Sequence, residues 1–248
     1  MPKIRLDEYL VNNDFADDID SAKRIILSGI VFRKEERLDK AGMMVKPDDE
    51  IFLKDNHSCK YVSRGGLKLE AAINDFKINI SNKICADVGA STGGFTDCLI
   101  QHGAGKVYAI DVGKSNIHEK LRNNPNVILI ENQNARYLDE STLPEKINLA
   151  AIDVSFISLK TVLPAVKKIL NQNSEIIALI KPQFESSYEE SAKGQGIIDS
   201  KEIHERIIAE ISDCAKMLDL NVIDIIQSPV KKSIGNIEYL IYLKRGIN

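Results

Sequence analysis

No two of the four cysteines, Cys59, Cys85, Cys98 and Cys214, form a C-x-x-C pair. That spacing argues against a zinc site or a disulfide framework, and no metal ligand set is expected. Cys85 and Cys98 fall in apolar surroundings and read as reduced, buried thiols of a cytoplasmic protein. A basic excess is also missing: 33 Lys+Arg against 36 Asp+Glu give a net charge of −3. A nucleic-acid partner would therefore have to meet a local patch. No apolar run reaches ten residues, far short of the roughly 20 that span a bilayer. The first ten residues, MPKIRLDEYL, lack the apolar stretch of a secretory signal. Internal repeats and low-complexity segments are absent too. What remains, at 248 residues with 44% hydrophobic and 28% charged, suits one large domain, alone or with a small one.

Residues 1–58 read as a separate α+β module. Leu6, Tyr9, Leu10 and Val11 make an apolar stripe on a first short helix. Ala22, Ile25, Ile26 and Leu27 do so on a second, ended by Gly29. Strand-like runs Ile30–Phe32 and Ile51–Leu53 follow. Residues 59–63 close a linker, and 64–248 alternate strand and helix. The expected strands are 84–88, 106–110, 127–130, 149–154, 176–180, 222–226 and 237–243. Helices are expected at 94–102, 158–170 and 202–218. Such alternation means a mostly parallel sheet with helices on both faces, the doubly wound α/β class.

The first strand of this domain runs into DVGASTGGFTD, residues 87–97. A glycine-rich strand-to-helix turn lets a ligand approach the backbone. Gly89, Gly93 and Gly94 do not make G-x-G-x-x-G, and no G-K-[ST] follows, so the phosphate-binding signal is weak. The second strand ends in Asp111, placed to accept hydrogen bonds from ribose hydroxyls. An adenosine cofactor without a pyrophosphate fits both features, and S-adenosylmethionine is the expectation.

Ligands of open parallel sheets bind at the carboxyl ends of the strands. Asp153 in AAIDVSFIS and Lys181 in ALIKPQFE end two of them. Adjacent strands would make the two side chains neighbours, and a lysine buried there needs an acidic partner. If the last strand, GNIEYLIYLKR, runs antiparallel, Glu238 joins the same edge. Lys68, in SRGGLKLEAA, enters from the helix leading into the sheet. Two lysines and two carboxylates beside a methyl donor suit deprotonation of a weakly acidic alcohol. Asp153-Val154-Ser155-Phe156 lacks the Pro-Pro-aromatic run common where base amino groups are methylated, so oxygen is the better target.

SRGGLKLEAA, DVGASTGGFTDCLI, IDVSFIS, LIKPQFE, GQGIID before His204, and SPVKKSIGNIEYL together resemble the TlyA family of ribosomal RNA 2'-O-methyltransferases, members of which often carry the name hemolysin. The catalytic half is similar to the FtsJ-like methyltransferase fold, a Rossmann-like sheet with an antiparallel last strand. The resemblance implies a catalytic tetrad of Lys68, Asp153, Lys181 and Glu238. It implies S-adenosylmethionine at Asp87, Gly89, Ser91, Gly93, Gly94, Phe95, Asp111 and Asp153, with the adenine near Asn134, Ala135 and Arg136. The implied partner is ribosomal RNA or a ribosomal subunit, methylated on a cytidine 2'-hydroxyl. RLDEYL and SAKRIILSGIV resemble the RNA-binding domain first described in ribosomal protein S-four. Asp18-Ile19 and Arg33-Lys34 depart from that pattern, and residues 1–60 hold 11 Lys+Arg against 13 Asp+Glu. The expected RNA contacts are Lys3, Arg5, Lys23, Arg24, Arg33, Lys34, Arg37 and Arg64. Three other readings compete: a membrane-active hemolysin, a catalytically silent RNA- or ribosome-binding protein, and a small-molecule methyltransferase. The absence of a spanning segment, the complete set of four residues and the appended RNA-domain look-alike disfavour them in turn.

Overall fold

The computed structural model describes residues 3–13, 15–16, 19–47, 49–53, 60–114, 117–194, 196–229 and 236–246. The chain forms two compact units, Met1–Cys59 and Lys60–Asn248. Cys59 and residues 230–235 of SPVKKSIGNIEYL lie outside the described residues.

In the first unit, helices α1 (Leu6–Asn12) and α2 (Ile19–Leu27) accompany five short strands. β1 (Ile4–Arg5) pairs with β4 (Met44–Val45), and β2 (Val31–Arg33) lies between β3 (Glu36–Arg37) and β5 (Ile51–Leu53). Leu6, Leu10, Ala22, Ile26, Val31, Leu38 and Val45 form its core. Leu27, expected in that stripe, is 81% exposed at the end of α2.

The second unit is built on a seven-stranded sheet ordered β11-β12-β10-β9-β6-β7-β8. Its strands are β6 (Ile84–Val88), β7 (Lys106–Ile110), β8 (Val127–Ile130), β9 (Ile147–Ile152), β10 (Leu170–Ile180), β11 (Leu220–Gln227) and β12 (Tyr239–Arg245). The pairs β10–β9, β9–β6, β6–β7 and β7–β8 are parallel, and β12 is antiparallel to both β10 and β11. The apolar runs are continuous because both faces are covered. Ala150, Ile152, Ile176, Ala178 and Ile180 join the core with Val162, Val166, Ile207 and Ile211 of α6 (Leu159–Ile169) and α9 (Lys201–Met217). Two shorter helices, α5 (Glu119–Arg122) and α8 (Tyr188–Lys193), precede β8 and α9. Their alternates Leu149, Ala151, Ile177 and Leu179 pack with Leu69, Ile73, Cys98 and Leu99 of α3 (Gly65–Asp75) and α4 (Gly94–Gln101). Burial pushes the Cys85 and Cys98 thiols up to about 12. Among the described residues no helix is long and apolar enough to cross a membrane.

Strand order reverses between β6 and β9, the first strand and the fourth of this sheet. That crevice, at the carboxyl ends, is where open α/β sheets place ligands.

Candidate active site

The turn after β6 begins at Gly89, whose φ is 92°. A Cβ there would stand 2.4 Å from the carbonyl oxygen of Asp153. Gly89 is thus glycine because two strand ends pass too closely for a side chain, and because of its left-handed backbone. The amides of Gly89 and Ala90 donate to the Ile110 carbonyl at 2.9 and 3.1 Å, and Asp153 N donates to Val88 O at 3.0 Å. Ser91 adopts φ 50° and donates its amide to Asp111 Oδ2 at 2.7 Å; Gly113 N donates to Asp111 Oδ1 at 2.7 Å. Asp111 therefore clamps the turn with both oxygens, and each keeps a second lone pair for a ligand hydroxyl.

Beneath the turn, Asp87 is fully buried. Its Oδ2 accepts from Thr96 N at 2.8 Å and Thr96 Oγ1 at 2.6 Å, while Oδ1 has no hydrogen-bond partner among the described residues. Burial pushes its carboxyl up to about 7, against the opposing pull of the Thr96 bonds.

A cleft of about 290 Å³ opens beside this turn, with Arg64, Lys68, Gly89, Asp153, Ser155 and Lys181 among its walls. Lys181 directly follows β10 and precedes Pro182, which occupies the first position of α7 (Pro182–Glu185). Its Nζ lies 2.5 Å from Asp153 Oδ1 and donates to Ser155 Oγ at 3.0 Å. The Asp153 contact is an ion pair rather than a well-directed hydrogen bond, because Oδ1 is otherwise buried without a hydrogen-bond partner. Lys68, in the first turn of α3, is buried and ion-paired with Glu238. Glu238 immediately precedes β12, one step beyond the Ile180↔Tyr239 pair, and so arrives beside the end of β10. Lys68, Asp153 and Lys181 thus face one cleft, and Glu238 reaches it through Lys68.

The expected cofactor residues divide. Gly89, Ser91, Gly94, Phe95 and Asp153 line the cleft. Asp111 lines a smaller hollow that shares Ala90 and Ser91 with it and adds Ile117, Leu129 and Glu131. Gly93, Asn134 and Ala135 line neither. A Cβ on Gly93 would stand 2.3 Å from Leu121 Cδ1, so that glycine serves helix packing. Asn134 is exposed and spends its side chain on Arg136 N at 3.0 Å. Asp87 lies below the turn rather than in its wall.

The expected RNA cations of the first unit are largely engaged within it. Arg5 pairs with Asp7, Lys23 with Asp20, Arg37 with Asp39, and Arg33 with both Glu36 and Asp49. Lys3, Arg24 and Lys34 are exposed there, and Arg64 is exposed at the cleft of the second unit.

Three residues at the mouth were missed in the sequence. Ser155 holds Lys181. Phe156 is 90% exposed with φ 62°, its ring 5.0 Å from that of Phe184. Glu185 accepts from Ser158 Oγ at 2.5 Å and Leu159 N at 2.7 Å, tying the loop after β9 to α7. Burial raises its carboxyl, partly offset by the Ser158 bond. An exposed phenylalanine has no signature in the sequence that separates it from a core one.

Residues 61–245 match the family of FtsJ-like methyltransferases. The chain belongs to the FtsJ-like methyltransferase family. Among curated relatives, Hemolysin A of Brachyspira hyodysenteriae is 42% identical over 243 residues, 96% of this chain and 98% of that protein. The 16S/23S rRNA (cytidine-2'-O)-methyltransferase TlyA of Mycobacterium tuberculosis is 33% identical over 242 residues, 98% of this chain and 90% of that protein. Among solved structures, a candidate hemolysin from Streptococcus thermophilus shares 39% identity at a TM-score of 0.76, covering 99% of this chain and 90% of that one. Membership in the family implies the use of S-adenosylmethionine. The residues present fit such a group: small side chains along the Gly89 turn, the Asp111 carboxylate for ribose hydroxyls, and no phosphate-binding loop.

Proposed function

We propose that this chain methylates the ribose 2'-hydroxyl of a cytidine in ribosomal RNA, in the cytoplasm. The observation that carries this reading is the pairing of two lysines with two carboxylates around one cleft, beside the glycine turn. The family supports methyl transfer, and the names of full-length relatives support the substrate.

S-adenosylmethionine, when bound, supplies an electrophilic methyl group. Gly89, Ala90 and Ser91 would carry it along the turn, with Asp111 meeting its ribose and Ile117 and Leu129 its base. Lys181 acts as general base in its neutral form: after giving up one proton to solvent, its amine takes the proton of the 2'-hydroxyl as the ribose oxygen attacks the methyl group. Asp153 and Ser155 hold Lys181 Nζ at that point. Lys68, set by Glu238, supplies positive charge for the developing oxyanion. Phe156, exposed at the rim, offers a face on which an unstacked base can lie. Residues 1–58 contribute RNA affinity as a domain of the S-four type, joined to the methyltransferase domain through residues 59–63.

The test is methyl transfer from labelled S-adenosylmethionine to purified ribosomal subunits, with ribose methylation mapped by nucleotide. Label on a cytidine 2'-oxygen supports the reading. Label only on a base nitrogen, or none on RNA, overturns it.

A further inference from the structure

Two features of the sequence, GQGIID and His204, have no part in the chemistry above, yet they converge on Glu238. His204 lies in the first turn of α9 and is buried. Its Nε2 is 2.8 Å from the Ile198 carbonyl, and its Nδ1 is 2.9 Å from Tyr239 Oη. A carbonyl only accepts, so Nε2 carries the hydrogen, and in the neutral ring Nδ1 accepts from the tyrosine hydroxyl. A rigid ring with a donor on one side and an acceptor on the other can span these partners; an aliphatic side chain cannot. The same loop is gripped again by Asn236. Its Oδ1 accepts from Ile198 N at 2.7 Å, and its Nδ2 donates to the Gly196 carbonyl at 2.8 Å. Asn236 and Tyr239 flank Glu238 on both sides, and the Glu238 carbonyl accepts from Ser228 N at 2.8 Å.

We propose that His204, Asn236 and Tyr239 form a bracket that sets the Glu238 carboxylate against Lys68, which makes His204 a positioning residue of the methyl-transfer site. Glu238 sits at the entry to β12, where the sheet pairing begins only at Tyr239. The bracket adds side-chain anchors on either side of Glu238 to the backbone bond from Ser228 N. It also explains why the segment after β10 returns to the active-site edge: residues 196–198 are the surface on which the entry to β12 is fixed. Glu238 is here taken as part of the methyl-transfer site, as proposed above.

The experiment uses full-length protein with His204→Ala, Asn236→Ala and Tyr239→Phe, each alone and combined with Glu238→Gln. Methyl transfer is measured on purified ribosomal subunits, and cofactor affinity by calorimetry. Misplacement of a catalytic group by about 1 Å can cost roughly a hundredfold, so the single variants should lose between about tenfold and a hundredfold in kcat. Cofactor Kd should stay at the wild-type value. In the Glu238→Gln background the same changes should cost nothing further. Losses that multiply with that of Glu238→Gln, or a matching loss of cofactor affinity, would overturn the bracket, as would a wild-type rate in Glu238→Gln itself. Crystal structures of His204→Ala and Asn236→Ala decide the point without any activity. A Glu238 carboxylate withdrawn from Lys68 supports the bracket, and an undisturbed pair overturns it. Wild-type protein that methylates nothing would instead count against the proposed function.

Discussion

Lys68 and Glu238, 170 positions apart in the chain, meet as a nearly buried ion pair. Such a pair is weak evidence of stabilisation, because desolvating both charges offsets their attraction. Removing one partner is different, since it strands a buried charge.

Glu238→Gln should therefore destabilise the protein by about 3–5 kcal/mol, the cost of breaking a buried pair. Replacing both, Lys68→Met with Glu238→Leu, should recover most of that loss. Methyl transfer should not recover. Chemical denaturation beside a methylation assay checks both halves, and an active double variant would reduce the pair to a structural feature.

Lys181→Ala should lower the methylation rate by about two to four orders of magnitude, the range of a general base, with cofactor affinity unchanged. Ser155→Ala leaves the Asp153 pair at 2.5 Å in place and should cost much less. Equal losses in the two variants would assign the main role to the hydroxyl rather than the amine.

Strands with unbroken apolar runs, at 84–88, 106–110 and 127–130, were legible because both faces of a parallel sheet are buried. β10 was not: it starts at Leu170 rather than 176. Residues 171–174 pair with neither neighbour: the register shifts between Leu170 and Glu175, Asn173 turns through φ 60°, and Ser174 Oγ donates to the Ile147 carbonyl at 2.8 Å. The polar run therefore interrupts the strand, and regular pairing on both sides starts only at Glu175. The grouping of Asp153, Lys181 and Glu238 was legible from strand order once the last strand is taken as antiparallel; Lys68, on a helix outside the sheet, came from its place in SRGGLKLEAA and from the family resemblance. What sequence could not reveal was who else binds whom. Arg33 looked like an RNA contact because nothing local shows Asp49 returning beside it. Gly93 and Asn134 line neither hollow, and for Gly93 a glycine required by the close approach of Leu121 reads the same in sequence as one required by a ligand.

Asp111→Ala removes the acceptor of both Ser91 N and Gly113 N. S-adenosylmethionine affinity should fall by about 1–3 kcal/mol, the cost of losing charge-assisted hydrogen bonds and leaving donors unmet. Asp111→Asn, which keeps one carbonyl acceptor, should lose less. Calorimetry at fixed salt distinguishes the two, and unchanged affinity in the alanine variant would remove Asp111 from the cofactor site.

Asp87 gives a pH signature. Its folded-state value is raised to about 7, above that of an unfolded aspartate. A raised value means the group favours the folded state most below the ordinary carboxylate range, near pH 4, and that this contribution is lost as pH rises through about 7. The stability difference between wild type and Asp87→Asn should therefore shift against the wild type from about pH 4 to about pH 7, then stay level. Urea denaturation across that range checks it, and a difference independent of pH would show that Asp87 is not held up by burial.

The first unit makes the least expected prediction. Arg33 is engaged by Glu36 at 2.7 Å and by Asp49 at 2.7 Å, on the strand carrying the hairpin tip at Lys34. Each phosphate contact by a cation contributes roughly one unit to the salt dependence of RNA binding. A guanidinium already shared between two carboxylates contributes little of that. Glu36→Gln should release part of Arg33 and so tighten RNA binding and steepen its salt dependence by up to about one unit. Arg33→Ala in the wild type should then matter less than Lys34→Ala, although both remove one positive charge. Asp49 is better left in place, since it also accepts from Lys46 N at 3.0 Å and supports the turn. Filter binding of ribosomal RNA over a range of salt concentrations measures all three slopes. A Glu36→Gln protein that binds more weakly would mean that the carboxylate orders Arg33 for its phosphate, rather than holding it away.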